Sequence, residues 1–110
     1  MAASIAEITN DNFETKVLKS EKPIIIDLWA QWCMPCKMLT PVIEEIAEEY
    51  KGIVDVANMN VDDSPELATE LSVMSIPTLI FFKDGKEAGR ITGVNTKEYI
   101  KGKIKEFFSL

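Results

Sequence analysis

The stretch LWAQWCMPCKMLTPV, Leu28–Val42, holds both cysteines of the chain. Cys33 and Cys36 follow a largely β-branched run, IIIDLW, that ends at Trp29. Such a run is typical of a strand buried on both faces of a parallel sheet. From Cys33 to Tyr50, apolar residues recur at three- and four-residue spacing, which indicates an amphipathic helix. A buried strand followed directly by a helix indicates an α/β fold.

The rest of the sequence predicts further strands and helices in alternation. The predicted strands cover 5–8, 24–29, 53–61, 78–82 and 87–92, and the predicted helices cover 11–19, 33–50, 64–71 and 96–108. Three helix starts carry capping signals, namely Asp11 with Glu14, Ser64 before Pro65, and Asn95 with Glu98. Asp-Gly at 84–85 predicts a hairpin. The order βαβαβαββα predicts an α/β fold in which four helices flank a central mixed sheet of about five strands.

Length and charge limit what the chain can be. At 110 residues the sequence predicts one domain over 1–110, because each of two separate cores would be too small to outweigh the entropy of ordering it. The net charge is −6, and the basic residues are scattered, so a phosphate backbone would meet no attractive face. Nucleic acid is therefore not an expected partner, and we expect a monomer.

The amino-terminal sequence and the apolar runs predict neither export nor membrane insertion. The start, MAASIAEITNDNF, has no basic region followed by a long apolar run, and the longest apolar stretch, 23–28, is interrupted by Asp27. We therefore expect a cytoplasmic protein without a membrane partner. The chain also has no histidine, which excludes histidine bases and zinc sites that use imidazole.

The two cysteines have three possible uses: a structural staple, a metal site or electron transfer. A disulfide between residues three apart closes so short a loop that it removes little entropy from the unfolded chain, which disfavours the staple. A structural zinc site needs about four protein ligands, and two thiolates without imidazole would need a second subunit. No metal or other cofactor is expected.

The position of the cysteines favours redox chemistry. The first turn of a helix points free N–H groups and the positive end of the helix dipole at its leading residue, and both stabilise a thiolate. Cys33 is therefore the predicted nucleophile. Cys36, one turn inside the helix, suits a resolving thiol. Pro35 is tolerated between them because first-turn N–H groups have no intrahelical partner to lose.

Together these motifs resemble the thioredoxin family along essentially the whole chain. WCMPCK follows the run IIIDLWA, and Pro41, the stretch Ser75–Thr78 and Gly93 come after it. The resemblance implies a thioredoxin fold and a thiol–disulfide oxidoreductase that reduces protein disulfides through Cys33 and Cys36. It also implies recycling by a thioredoxin reductase, with disulfide-containing proteins as substrates.

The resemblance also implies roles for individual residues. Asp27 matches the family's buried carboxylate, the proton acceptor for Cys36, and burial in an apolar strand would raise the pKa of that carboxyl. Pro77 matches the cis-proline beside the disulfide. The predicted substrate-binding residues are Trp32, Met34, Pro35, Ile76, Pro77 and Gly93, of which Met34 is predicted from its place in the first helical turn beside Cys33 and not from the resemblance. The structural alternatives are a solvated strand-end aspartate at 27, a strand-starting proline at 77 and a plain turn glycine at 93.

Two positions depart from the family's pattern. Met34 stands where glycine is usual after the first cysteine, and Asn58 stands where a lysine usually neighbours the buried aspartate. The redox potential and the choice of partners depend on both. Two other functions are the alternatives: a disulfide oxidant or isomerase, disfavoured by the missing export signal, and a redox-independent interaction module, disfavoured by the cysteine pair and Asp27.

Overall fold

A computed structural model describes residues 5–110, and within them the chain forms five strands and four helices. The strands are β1 (Ala6–Glu7), β2 (Ile24–Trp29), β3 (Asp55–Asn60), β4 (Thr78–Lys83) and β5 (Lys86–Thr92). The helices are a short π-helix (Glu14–Leu18), α1 (Met34–Glu49), α2 (Pro65–Glu70) and α3 (Lys97–Phe108). The predicted order of elements and the α/β fold class are confirmed.

The strands form one mixed sheet in the order β1-β3-β2-β4-β5. β3 pairs in parallel with both β1 and β2, whereas β4 is antiparallel to β2 and to β5. The apolar run of β2 is buried on both faces, which places it at the centre of the sheet. Asp84 and Gly85 adopt φ angles of +53° and +79°, and they join β4 to β5 in the predicted hairpin.

Helices cover both faces of the sheet, and the alternation of side chains along β2 separates the two layers. Ile25 packs with buried residues of α1 and α3 such as Leu39 and Ile104. Ile26 packs on the opposite face with residues of the π-helix and α2, among them Leu67. Within residues 5–110, no helix combines the length and apolarity needed to span a bilayer.

The start of the first helix differs from its prediction. The helix is of π type and begins at Glu14, with no side-chain capping bond at its first position. The predicted capping box of Asp11 and Glu14 is wrong. The polar side chains form a local turn instead, because Asn12 Oδ1 accepts from Thr9 N at 2.8 Å and Thr9 Oγ1 accepts from Asp11 N at 3.2 Å.

Two other capping predictions also need correction. Ser64 precedes α2 as predicted, with Pro65 at the first helical position, but its hydroxyl makes no capping bond. α3 is capped by Thr96, whose Oγ1 accepts from Tyr99 N at 3.1 Å. Asn95, the predicted cap, instead donates from Nδ2 to the carbonyls of residues 92 and 93. β1 and β3 are each shorter than predicted.

Candidate active site

The cysteines lie at the junction of β2 and α1, where the sequence places them, and they are joined in a disulfide with Cα atoms 5.3 Å apart. Cys33 occupies the capping position of α1, and its Sγ accepts a hydrogen bond from Cys36 N at 3.2 Å. Pro35 lies in the first turn, as predicted. The N–H group and the helix amino terminus both stabilise negative charge on Cys33 sulfur.

Both cysteines are buried in this oxidised state, so exposure does not separate their roles. Their residual exposures are 4% for Cys33 and 2% for Cys36. Buried Ala30 packs with the two cysteines, and the partly buried side chains against this cluster are Trp29, Val61 and Ile76. The apolar surroundings leave the N–H of Cys36 as the one hydrogen-bond donor to Cys33 sulfur recorded among the described residues.

Asp27 is buried in the middle of β2, with 1% of its surface exposed. Neither carboxyl oxygen has a hydrogen-bond partner among the described residues. Burial therefore raises the pKa of the Asp27 carboxyl to about 7. By the strand alternation, Asp27 shares its face of β2 with Ile25, and α1 covers that face. Cys36 is the first buried residue of that helix.

Asn58 is the neighbour of Asp27 across the β2–β3 pair. Its side chain does not bond to Asp27. Oδ1 accepts from Trp29 Nε1 at 2.8 Å, and Nδ2 donates to Ala6 O at 3.3 Å. The amide thus holds the half-buried Trp29 and the edge strand, and it supplies no positive charge to the carboxyl of Asp27.

An open groove of about 430 Å³, which we name the docking groove, has two lining residues, Val61 and Ile76, that pack against the cysteine cluster. Its lining residues are Trp32, Val61, Pro65, Ala68, Val73, Met74, Ser75 and Ile76. Of the predicted substrate-binding residues, Trp32 and Ile76 line this groove. Trp32 is 68% exposed, and its Nε1 donates to Asp62 Oδ2 at 2.8 Å, which fixes the ring at the edge of the groove.

The other predicted substrate-binding residues lie outside the lining of the docking groove. Met34 is exposed in the first turn of α1, and Met38, four residues on, is exposed on the same side of the helix. The Ile76–Pro77 peptide is cis. Gly93 N donates to Pro77 O at 2.9 Å, and its φ of +83° favours glycine.

Sequence reasoning missed several residues of this surface. Met74 is 93% exposed at the groove, yet a lone methionine between α2 and β4 gives no periodic signal. Asp62 was missed because its link to Trp32 spans 30 positions. Arg90 was missed for the same reason, because its hydrogen bonds to Ser72 O and Leu71 O span 18 and 19 positions.

Comparison with known families identifies the arrangement. The thioredoxin family model matches residues 4–106. The chain belongs to the thioredoxin family. Its cysteine pair, mixed sheet and cis-proline agree with the fold and motif that the sequence predicted.

Individual relatives cover nearly the full chain. A thioredoxin of Chlorobaculum thiosulfatiphilum is 42% identical over 105 residues, which is 96% of this chain and 97% of the relative. Thioredoxins of Acidithiobacillus ferridurans and Pyropia yezoensis are 44% and 37% identical, covering 88% and 96% of this chain and 90% and 99% of their own lengths. Family membership and the adjacent cysteine pair make the chain a thiol–disulfide oxidoreductase.

Proposed function

We propose that this oxidoreductase works as a single domain that reduces protein disulfides, with Cys33 as nucleophile. The reduced Cys33 thiolate attacks one sulfur of a substrate disulfide, so that a mixed disulfide forms and the substrate's own S–S bond breaks. The leaving sulfur departs as a thiolate and takes up a proton. The observation that carries this assignment is the position of Cys33 at the start of α1, where the N–H of Cys36 donates to its sulfur.

The second half of the reaction needs Cys36 to lose a proton. Asp27 accepts this proton, and the Cys36 thiolate attacks Cys33 sulfur, which forms the internal disulfide and releases the second substrate thiolate. Two electrons have then passed from the dithiol to the substrate. A carboxyl whose pKa is about 7 exchanges protons readily near neutral pH, which supports Asp27 as the acceptor.

The substrate is proposed to bind across the docking groove and the surface beside it. The contacting residues are Trp32, Met34, Pro35, Ile76, Pro77 and Gly93. The exposed side chains of Trp32 and Met34 flank the buried cysteines, and an apolar, adaptable rim suits partners of varied shape. Substrates are therefore proteins with an accessible disulfide rather than one particular sequence.

The electrons are proposed to come from a thioredoxin reductase. No nucleotide- or flavin-binding motif occurs in the sequence, so the reducing equivalents are supplied by another protein. We also propose that the chain acts as a monomer in the cytoplasm, without nucleic acid or a membrane as partner. The net charge of −6 supports the exclusion of nucleic acid.

Reduction of insulin tests this function. Wild-type protein, NADPH and a thioredoxin reductase are expected to precipitate reduced insulin B chain, and NADPH consumption gives the rate. Cys33→Ser and Cys36→Ser should both abolish turnover, while Lys86→Ala, a change on the exposed edge strand, should keep it. Wild-type turnover no faster than that of Cys33→Ser would contradict the proposal.

A further inference from the structure

One wall of the docking groove is a short irregular segment between α2 and β4, and we name it the wall loop (Ser72–Ile76). Val73, Met74, Ser75 and Ile76 of this loop line the groove. Met74 is 93% exposed, so packing does not hold its side chain, whereas Val73 and Ile76 pack against the core. The geometry of the groove therefore depends both on this packing and on how the two ends of the loop are fixed.

The carboxyl end of the wall loop is held by the strands that follow it. Thr78 Oγ1 donates to Ser75 O at 2.7 Å. Gly93 N donates to Pro77 O at 2.9 Å. Thr78 belongs to β4, where it pairs with Thr92, and Gly93 directly follows the end of β5.

The amino end of the wall loop is held by Arg90 of β5. Its Nη2 donates to Leu71 O at 2.8 Å and its Nη1 donates to Ser72 O at 3.3 Å. These carbonyls lie at the carboxyl end of α2, where a cation also interacts favourably with the helix dipole. Ser72 has a φ of +55°, a left-handed conformation that is uncommon for a residue with a side chain. Backbone bonds also close the helix here, because Ser72 N donates to Thr69 O at 3.0 Å and Val73 N donates to Ala68 O at 3.1 Å.

Glu87 orients the guanidinium of Arg90. Its two carboxylate oxygens accept from Nε at 2.6 Å and from Nη2 at 2.7 Å. Such a bidentate pair fixes the plane of the guanidinium. The guanidinium of Arg90 thus donates to the Glu87 carboxylate and to the carbonyls of Leu71 and Ser72 at once. The single ammonium of a lysine cannot reproduce this planar arrangement of donors.

We propose that Arg90 is a positioning residue for substrate binding, which sets the shape of the docking groove by fixing the amino end of the wall loop. The inference rests on the proposed function, because it assigns protein substrates to this groove. Arg90 lies outside the groove lining and does not touch the reacting sulfurs. Its loss should weaken the capture of protein disulfides and leave the chemistry at Cys33 intact.

The test compares two second-order rate constants of the pre-reduced protein, measured by stopped-flow. One is for insulin, which must dock on the surface, and the other is for 5,5′-dithiobis(2-nitrobenzoate), a small disulfide. Arg90→Ala is expected to lower the insulin constant by about tenfold, the equivalent of about one hydrogen bond to a charged group. The constant for the small disulfide should stay within about twofold. Lys86→Ala, which removes the same charge from the same strand, should change neither.

Arg90→Lys separates geometry from charge and gives a second route should Arg90→Ala fail to fold. It keeps the positive charge without the planar fork, so the ratio of the two constants should lie between those of Arg90→Ala and the wild type. A merely structural role would lower the melting temperature and leave the ratio unchanged. A ratio for both Arg90 variants equal to that of Lys86→Ala would overturn the inference. If the wild type itself failed to reduce insulin, the proposed function would fail instead.

Discussion

The unpartnered carboxyl of Asp27 should make stability depend on pH in a defined window. The carboxyl is 1% exposed, and burial raises its pKa from 3.8 to about 7. At about 1.36 kcal/mol per pH unit, this places the cost of ionising Asp27 in the fold at about 4 kcal/mol. The perturbation that reveals this cost is Asp27→Asn, which keeps the shape and polarity of the side chain but cannot ionise.

The sign of the effect follows from the two pKa values. Below pH 3.8 the carboxyl is protonated in both the folded and the unfolded chain, and its contribution is fully present. Between 3.8 and about 7 the unfolded chain has lost the proton and the folded chain keeps it, so the free energy of unfolding falls as pH rises. The wild type should therefore lose about 2.5 kcal/mol from this group between pH 5 and pH 8, and little more above pH 8.

Guanidinium unfolding of both proteins in the oxidised state measures this directly, because no thiol then titrates. The two free energies of unfolding should be similar only below pH 3.8. Asp27→Asn should be the more stable protein by about 1.5 kcal/mol at pH 5 and by about 4 kcal/mol at pH 8, so that the difference grows by about 2.5 kcal/mol between them. Asp27→Ala should show the same pH trend. A difference between Asn and Asp proteins that stayed constant to within about 0.5 kcal/mol from pH 5 to pH 9 would refute the burial argument.

Three further predictions concern the cysteines, the docking surface and the core. Brief iodoacetamide treatment of the reduced protein near neutral pH should alkylate Cys33 much faster than Cys36, because the amino end of α1 stabilises the Cys33 thiolate. Peptide mapping that finds Cys36 labelled first would reverse the assignment of nucleophile and resolving thiol. Met34→Gly should change the rate constants for reduction of protein disulfides by about fivefold through lost apolar contact, with no change for a small disulfide. Equal rates for the wild type and Met34→Gly with three unrelated protein substrates would make Met34 an ordinary exposed residue. Gly89→Ala should destabilise the fold by about 2 kcal/mol, because the added Cβ would lie 2.5 Å from the ring of Phe107, which packs on Phe81. Gly102→Ala, in α3 with nothing within 4 Å, is its control in thermal melts and should stabilise by about 1 kcal/mol.

The features that the sequence predicts well are those with a local cause. The β-branched run of β2 requires burial on both faces, and Asp84 with Gly85 tolerates the positive φ angles of a tight hairpin. Cys33 and Cys36 lie within one helical turn at the start of α1, so their redox role depends on neighbouring residues. These signals lie within a few residues of one another, so the central strand, the hairpin and the redox centre could be located without a structure.

The features that the sequence does not predict arise from competition or from distance. Asn12 and Thr9 form a turn that takes the place of the capping box expected at Asp11. Thr96 caps α3 because it, not Asn95, lies one residue before the helix. The hydrogen bond from Arg90 to Ser72 O joins residues 18 positions apart. No local pattern in the sequence predicts a contact at that separation.

The clearest test of the catalytic assignment is the trapping of a mixed disulfide. Pre-reduced Cys36→Ser and Cys33→Ser proteins would each be incubated with oxidised insulin, quenched with acid and analysed by intact-mass spectrometry. If Cys33 attacks and Cys36 resolves, Cys36→Ser should accumulate a covalent adduct with insulin through Cys33, and Cys33→Ser should accumulate little. Predominant capture by Cys33→Ser, or equal capture by both, would contradict the account.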